Sequence, residues 1–159
     1  MPTPYETLKA HFKSEEWNFE AHDDARVLST GFSGTNAQYK VMIAIDDDDD
    51  LIQCISVLPS NVPETSHTLV AEFVCRANYG LKVGKFEFDL SDGQIRFQTY
   101  APFIQGDLQD DIIRRVCGLN FAMIDRYYPG FMKVIFAGTP PKDAVAEIEA
   151  TFADNETTT

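Results

Sequence analysis

Hydrophobic residues recur along this chain with two spacings, and each change of spacing predicts a change of element. Residues Thr3 to Glu6 form a capping box with a proline in the first helical turn, and Leu8 and Phe12 continue at helical spacing. This pattern predicts a first helix over residues 3–15. Apolar and polar residues then alternate with a period of two, which predicts a meander of antiparallel strands at about residues 17–21, 26–32, 39–45 and 51–58.

Helical spacing returns after the prolines near residue 60. Leu69, Phe73 and Ala77, with Val70 and Val74 beside them, form one apolar stripe, which predicts a helix over residues 64–79. Gly80 follows this stripe, and we expect it to take the left-handed conformation that often ends a helix.

The segment from Gly84 to Tyr100 predicts a β-hairpin. Asp92 and Gly93 suit a type I′ turn, because both central residues of that turn need a positive φ. A two-residue loop fixes the register and places apolar residues opposite apolar ones. The expected cross-strand pairs are Leu90 with Ile95, Phe88 with Phe97, and Asp89 with Arg96.

Two more helices are expected after the hairpin. The longer spans residues 107–128 and ends at Pro129-Gly130, beyond which Phe131 to Ile135 form a shorter helical or irregular segment. The last helix spans residues 141–152. Residues 1–153 then form a single α+β domain, a twisted antiparallel sheet with helices packed mainly on one face, and residues 154–159 form a disordered tail.

The charge balance narrows the classes of partner. The chain has 13 lysines and arginines against 25 aspartates and glutamates, a formal net charge of −12. Such a surface repels phosphate groups, so it disfavours nucleic acid and anionic membranes as partners. A need for solubility is enough to explain a charge of this size. The more specific interpretation is a surface that binds basic or aggregation-prone protein clients.

The cysteines indicate a reducing compartment. Cys54, Cys75 and Cys117 are odd in number and far apart, which argues against a disulfide framework or a zinc site. We expect each of them to be a small buried hydrophobic residue. The N-terminus has no signal-peptide pattern, so the expected location is the cytoplasm.

No catalytic, cofactor-binding or metal-binding motif is recognisable in the sequence. His11, His22 and His67 have no partner at a metal or catalytic-triad spacing, and we expect them at the surface or its boundary. Phosphate-binding and nucleophile-elbow motifs are missing as well. We therefore expect no cofactor and no enzymatic activity.

Five consecutive aspartates, from Asp46 to Asp50, are the feature that most suggests a metal. Adjacent carboxylates attract Ca²⁺. However, alternate residues of an extended chain point in opposite directions, and the segment lacks the calcium-loop pattern of an EF-hand. A solvated hairpin loop is the simpler expectation, and a calcium site is the alternative.

Aromatic residues on the sheet suggest a surface for a partner. Helices often cover only one face of an antiparallel sheet. We expect Trp17, Tyr39 and Tyr100 on the uncovered face, where Arg96 accompanies Tyr100. These four residues are the candidate partner-binding residues.

From Glu64 onward the sequence resembles the YbjN-like family of bacterial sensory transduction regulators. The resemblance is carried by Asn78-Tyr79-Gly80, by the segment from Gly84 to Phe97 with its Asp-Gly turn, and by the helix ending in Asp125-Arg126-Tyr127-Tyr128-Pro129. It covers residues 64–138, while residues 1–60 match in element order. The resemblance implies an α+β fold like that of type III secretion chaperones, an architecture that can dimerise, and neither a cofactor nor catalysis.

Two hypotheses of different class follow. The first is a non-enzymatic protein-binding module, a chaperone-like or regulatory adaptor whose partner is a protein client or a second copy of the chain. A dedicated secretion chaperone is the alternative within that class. The second hypothesis is a small-ligand-binding or enzymatic α+β domain, which would need an enclosed polar pocket with converging His, Asp or Cys groups.

Overall fold

The computed structural model describes the backbone of residues 1–156 and the side chains of residues 1–152. This part of the chain contains four α-helices, a single 3₁₀ turn (Glu64–Ser66) and six strands. The helices are α1 (Pro4–Ser14), α2 (His67–Gly80), α3 (Asp110–Phe136) and α4 (Pro141–Glu156). The strands are β1 (Glu20–His22), β2 (Val27–Ser33), β3 (Gln38–Asp46), β4 (Leu51–Val57), β5 (Lys85–Phe88) and β6 (Ile95–Pro102).

The strands form one antiparallel sheet in the order β1-β2-β3-β4-β6-β5. Along β3 and β4, alternate residues are buried and the residues between them are exposed or half-buried. Because successive side chains of a strand point to opposite faces, the helices cover one face of the sheet. The expected α+β fold, an antiparallel sheet with helices mainly on one face, is confirmed.

α1 begins as the sequence predicts. Thr3 Oγ1 accepts a hydrogen bond from Glu6 N at 3.2 Å, and the Glu6 carboxylate accepts one from Thr3 N at 2.8 Å. Leu8 and Phe12 are buried and hold the helix against the half of the sheet that contains β2 and β3.

The long helix α3 joins two hydrophobic cores. Ile124, Tyr127 and Phe131 belong to the core beneath α2 and α4, whereas Val116 and Phe121 belong to the core beneath α1. A helix of 27 residues is about 40 Å long at 1.5 Å per residue, which is enough to cross both cores. None of the helices described in residues 1–156 is long and apolar enough to span a membrane.

One buried polar side chain ties α3 to the sheet. Asn120 is fully buried, and its Nδ2 lies 2.8 Å from Cys54 O, 3.0 Å from Phe97 O and 3.2 Å from Thr99 Oγ1. The hydroxyl of Ser56 donates to Asn120 Oδ1. These partners all lie on β4 and β6, so the network fixes the position of α3 over those two strands.

α3 continues through Pro129, so the predicted end of the helix at that residue is wrong. A proline inside a helix lacks the N–H that would bond to the carbonyl four residues earlier, which here belongs to Asp125. Asn36 Nδ2 donates to this carbonyl at 2.8 Å and replaces the missing donor. Beyond the proline, Phe131 and Val134 are buried, and that burial favours continuation of the helix.

The hairpin of β5 and β6 forms with a different register from the one expected. Phe86 pairs with Phe97, and Phe88 pairs with Ile95. The expected pairing is therefore wrong by two residues, although each side chain keeps its predicted face because the shift is even. Leu90, which was expected to pair in the strand, lies in the loop and is 63% exposed.

The longer hairpin loop closes on Asp89. The Asp89 N–H donates to Gln94 O at 2.9 Å, and its carbonyl accepts from Gly93 N at 2.8 Å. Gly93 has a φ of 82° and its carbonyl accepts from Val62 N at 2.8 Å. This contact with the segment before α2 favours the longer loop, and a sequence pattern within the hairpin cannot reveal it.

Two expectations about α2 are also wrong. Gly80 is the last residue of the helix and Leu81 caps it in an extended conformation, so no left-handed glycine ends the helix. The positive φ of 79° belongs instead to Gly84, just before β5. Leu69 is 46% exposed because its neighbour Val70 occupies the core position.

The ends of the described chain differ from the prediction as well. β1 is shorter than expected because Trp17 and Phe19 pack edge-to-face against Phe12 of α1. α4 continues to Glu156, beyond the expected end at residue 152. The single domain over residues 1–153 stays a prediction, and the part of the expected disordered tail from Thr157 to Thr159 lies outside the described residues.

Candidate functional site

The face of the sheet opposite the helices is uncovered by any other element of residues 1–156, and we call it the open face. The strand register assigns to it every second residue of each strand. These residues are Glu20, His22, Val27, Ser29, Gly31, Ser33, Gln38, Lys40, Met42, Ala44, Asp46, Leu51, Gln53, Ile55, Val57, Lys85, Glu87, Arg96, Gln98, Tyr100 and Pro102.

Apolar side chains gather in the middle of the open face. Met42 lies directly opposite Ile55 across β3 and β4, and Val57 follows Ile55 on the same face. Tyr100 on β6 is the diagonal neighbour of Ile55. Met42 is 43% exposed and Tyr100 is 53% exposed. We call these four residues the apolar centre.

The open face is balanced in charge although the whole chain is strongly acidic. Three cations, Lys40, Lys85 and Arg96, stand with three anions, Glu20, Asp46 and Glu87, at its strand positions. Arg96 Nε lies 3.2 Å from Glu87 Oε1 across β5 and β6, which holds the guanidinium beside the apolar centre. The excess of negative charge therefore lies outside these strand positions, on the helices and in the loops.

The four candidate partner-binding residues do not share one face. Arg96 and Tyr100 lie on the open face, as expected. Tyr39 points to the helix side and is buried, so its expected position on the uncovered face is wrong. Trp17 is also on the helix side, because its ring stacks on Phe121 of α3 at a centroid distance of 5.5 Å.

Tyr39 belongs to a structural anchor that the sequence pattern did not reveal. Its hydroxyl donates to Asp125 Oδ1 at 2.8 Å, and the same carboxylate accepts from Thr35 N and Asn36 N at 2.9 Å each. Burial, and then the hydrogen bond to Asp125, raise the pKa of Tyr39 far above its ordinary value. These contacts hold the β2–β3 loop against α3.

Of the five aspartates, Asp46 ends β3 and Asp47 to Asp50 form the β3–β4 hairpin loop. Asp46 Oδ1 accepts from Asp48 N at 3.1 Å and from Asp49 N at 3.2 Å, so this carboxylate stabilises the turn. Asp47 pairs with Arg26. A hollow of about 400 Å³ is lined by Asp46 to Asp48, by Arg26 and by Gln53. Within the described residues, no three His, Cys, Asp or Glu side chains converge as metal ligands would.

A cavity of about 180 Å³ lies on the helix side, between α1 and α3. His11 and Cys117 both line it, and His11 Nδ1 lies 3.0 Å from Asp110 Oδ1. The structure thus gives His11, which is 9% exposed, a carboxylate partner that sequence spacing did not indicate. The cavity is smaller than ordinary ligand pockets, which run from roughly 300 to 1,000 Å³.

Cys54 and Cys117 are buried as expected, whereas Cys75 is exposed, contrary to expectation.

A family model described as "Putative bacterial sensory transduction regulator", the YbjN model, matches residues 4–133 of the chain. The match includes α1 and the first four strands, which lie outside the segment on which the resemblance in sequence was based. No curated protein matches the chain closely enough to count as a relative.

Two solved structures share the fold. One is the crystal structure of YbjN from E. coli, described as a putative transcription regulator; it has a TM-score of 0.58 and 13% sequence identity, and the match covers 76% of this chain and 87% of that one. The other is the HopA1-SchA chaperone-effector complex, with a TM-score of 0.52, 16% identity, and coverage of 77% of this chain and 91% of that chain. The likeness to type III secretion chaperones implied by the sequence is thereby confirmed at the level of fold.

Proposed function

Because the chain belongs to the YbjN family, we propose that it is a non-enzymatic protein-binding module, a chaperone-like or regulatory adaptor that holds its partner on the open face. The family is described as one of regulators, and a fold neighbour is a chaperone-effector complex. Both descriptions are of regulator or chaperone type rather than of enzymes.

The apolar centre carries this proposal. Most antiparallel sheets bury such a patch beneath a second layer, but here Met42 and Tyr100 remain 43% and 53% exposed. A partner segment lying across β3, β4 and β6 would remove these side chains from water. Tyrosine and arginine, present as Tyr100 and Arg96, are with tryptophan the residue types enriched among the strongest contacts of protein interfaces.

The distribution of charge on the open face predicts the order of charged and apolar residues in the partner segment. Lys40 and Arg96 stand at one end of the apolar centre, and the acidic loop from Asp46 to Asp50 stands at the other, about 20 Å away along β3 at 3.3 Å per residue. A complementary segment carries acidic, apolar and basic residues in that spatial order. Such an arrangement fixes the direction of the bound segment.

Site-specific photo-crosslinking tests the proposal. A photoreactive phenylalanine analogue is placed at position 100 on the open face and, as the matched control, at Tyr79, which is 96% exposed on α2. We expect a defined protein partner to be crosslinked from position 100 and not from position 79. Equal crosslinking from both positions, or none from position 100, would contradict the proposal.

Affinity measurements then test the individual contacts with the crosslinked partner. Tyr100→Ala is expected to raise the Kd by roughly tenfold or more, as for a central interface tyrosine, while Tyr79→Ala leaves it unchanged. If the crosslinked product has twice the mass of the chain, the partner is a second copy, and light scattering of Tyr100→Ala should then show a monomer.

The choice between a regulator and a dedicated secretion chaperone depends on the partner. A crosslinked secreted protein supports the chaperone, and a crosslinked component of a signalling or transcription system supports the regulator. The three free thiols favour a reducing compartment such as the cytoplasm for either role. The competing class, a small-ligand or enzymatic domain, finds its best support in the cavity lined by His11 and Cys117.

A further inference from the structure

Cys117 faces the cavity between α1 and α3. The thiol-bearing residue is 7% exposed, and the cavity beside it has a volume of about 180 Å³. Arg114 and His11 line the same cavity, each next to a carboxylate: Arg114 lies 3.4 Å from Glu15, and His11 is paired with Asp110. This cavity is partly open to solvent, and it gives water or a small hydroperoxide access to the thiol.

Cys54 lies on β4 and packs in the same hydrophobic core as Cys117. Asn120, one helical turn after Cys117, donates to Cys54 O at 2.8 Å. Thr99, the cross-strand partner of Cys54, donates to Val116 O at 2.8 Å, and Val116 precedes Cys117. These two hydrogen bonds hold α3, on either side of Cys117, against β4, which carries Cys54, and against the neighbouring strand β6.

The two thiols differ in their surroundings. Burial, and then the hydrogen bond to Cys117, raise the pKa of the Cys54 thiol. Cys54 has no exposed surface, whereas Cys117 borders the cavity. An oxidant that enters the cavity therefore meets Cys117 first. The third cysteine, Cys75, lies on the exposed side of α2.

We propose that Cys54 and Cys117 form a redox-active dithiol, in which Cys117 reacts with a small hydroperoxide and Cys54 resolves the product. In the first step the Cys117 thiolate attacks one peroxide oxygen, giving a sulfenic acid and releasing water or an alcohol. In the second step the Cys54 sulfur attacks the Cys117 sulfur and water leaves, giving a disulfide. Two electrons pass from the two thiols to the peroxide, and both thiol protons end in the released products.

The disulfide would link the sheet to the helix layer. Cys54 is in β4 and Cys117 is in α3, so the bond would close a long loop that contains α2, β5 and β6. A crosslink of this span restricts the unfolded chain and stabilises the oxidised protein. The open face, on the other side of β4, would keep its residues and its exposure.

The test uses the full chain with Cys75→Ser, treated with hydrogen peroxide and analysed by intact mass and by non-reducing peptide mapping. We expect the loss of two hydrogen atoms, one crosslinked peptide that joins residues 54 and 117, and full reversal by dithiothreitol. We also expect the urea midpoint to rise on oxidation and to return on reduction.

A second variant tests the order of the two steps. In Cys54→Ala with Cys75→Ser, the resolving thiol is missing, so dimedone should trap a sulfenic acid at Cys117. Free thiols at both positions after peroxide treatment would overturn the proposal. Oxidation of Cys117 to the sulfinic acid while Cys54 stays reduced would overturn it equally, because the resolving step would then not occur. Both outcomes can be read from the Cys75→Ser protein alone if the second variant does not fold.

Discussion

Replacement of Asn120 by alanine tests the network that fixes α3 to the sheet. An amide nitrogen has two protons for the three acceptors within reach, so the side chain makes about three full hydrogen bonds, counting the one that it accepts from Ser56. Each is worth about 1 kcal/mol net, and the cavity left by the substitution adds roughly 1 kcal/mol. We therefore expect Asn120→Ala to lower the free energy of unfolding by about 3–4 kcal/mol.

Urea denaturation followed by circular dichroism measures this loss, and thermal melting should show a decrease of about 6–16 °C for a domain of this size. Arg115→Ala, at an exposed position of the same helix, is the control and should change stability by less than about 0.5 kcal/mol. Asn120→Asp keeps the shape but replaces the donor with a carboxylate in an apolar site, so its loss should exceed that of alanine at neutral pH.

The outcome that refutes this reasoning is a loss below about 1 kcal/mol for Asn120→Ala, since the buried acceptors would then have other donors. A double-mutant cycle with Ser56→Ala refines the result. The loss of stability in the double variant should be smaller than the sum of the two single losses, because both substitutions remove the same hydrogen bond.

Three further predictions concern single side chains. Gly118→Ala should stabilise α3 by about 0.5–1 kcal/mol, because the added Cβ would meet no atom within 4 Å. Gly130→Ala should destabilise the protein by about 1–3 kcal/mol, because its Cβ would lie 2.4 Å from a side chain of α4. Equal effects of the two substitutions on the urea midpoint would contradict this prediction. Gly34→Ala should lower the melting temperature because its Cβ would lie 2.3 Å from Asp125 Oδ1, and the loss should disappear in an Asp125→Ala background. Because the pKa of Tyr39 is raised in the folded protein, the Tyr39 hydroxyl loses its proton at a lower pH in the unfolded chain than in the folded one. The contribution of Tyr39 to the free energy of unfolding is therefore fully present below about pH 10 and falls as the pH rises above it. In Tyr39→Phe, urea midpoints measured between about pH 9 and 11 should decline less steeply than in the unchanged protein; an identical decline would refute this.

The order of the elements could be predicted from the sequence because each depends on a local pattern. The capping box at Thr3 and the alternation from Tyr39 to Ile45 both appear in the structure as expected. Such signals come from residues that are neighbours in the chain, so a single sequence contains them in full.

The features that were wrongly predicted depend on residues far apart in the chain. The helix passes Pro129 because Asn36, 93 positions earlier, supplies a donor to the free carbonyl. The hairpin register depends on Val62, whose N–H bonds to Gly93 O. No periodicity within either segment contains these contacts, and each of them overrides a sound local rule.

The candidate site could be predicted only in part, again because some of its contacts join residues that are far apart in the chain. Arg96 and Tyr100 follow the alternation of β6, so their face could be read from the strand pattern. Tyr39 also alternates correctly, but the pattern does not say which of the two faces the helices cover. The assignment of Tyr39 required its hydrogen bond to Asp125, and that of Trp17 required its stacking on Phe121.

The passage of α3 over both hydrophobic cores has a consequence for folding during synthesis. The strands from β1 to β4 are made early, but their core lacks Val116 and Phe121 until α3 has left the ribosome. The core beneath α2 needs Ile124 and Phe131 from the same helix. Neither half of the sheet can therefore complete its packing alone, and we expect a nascent chain that stops before α3 to stay protease-sensitive. Cooperative folding of the two halves in one late step follows from the position of this single helix.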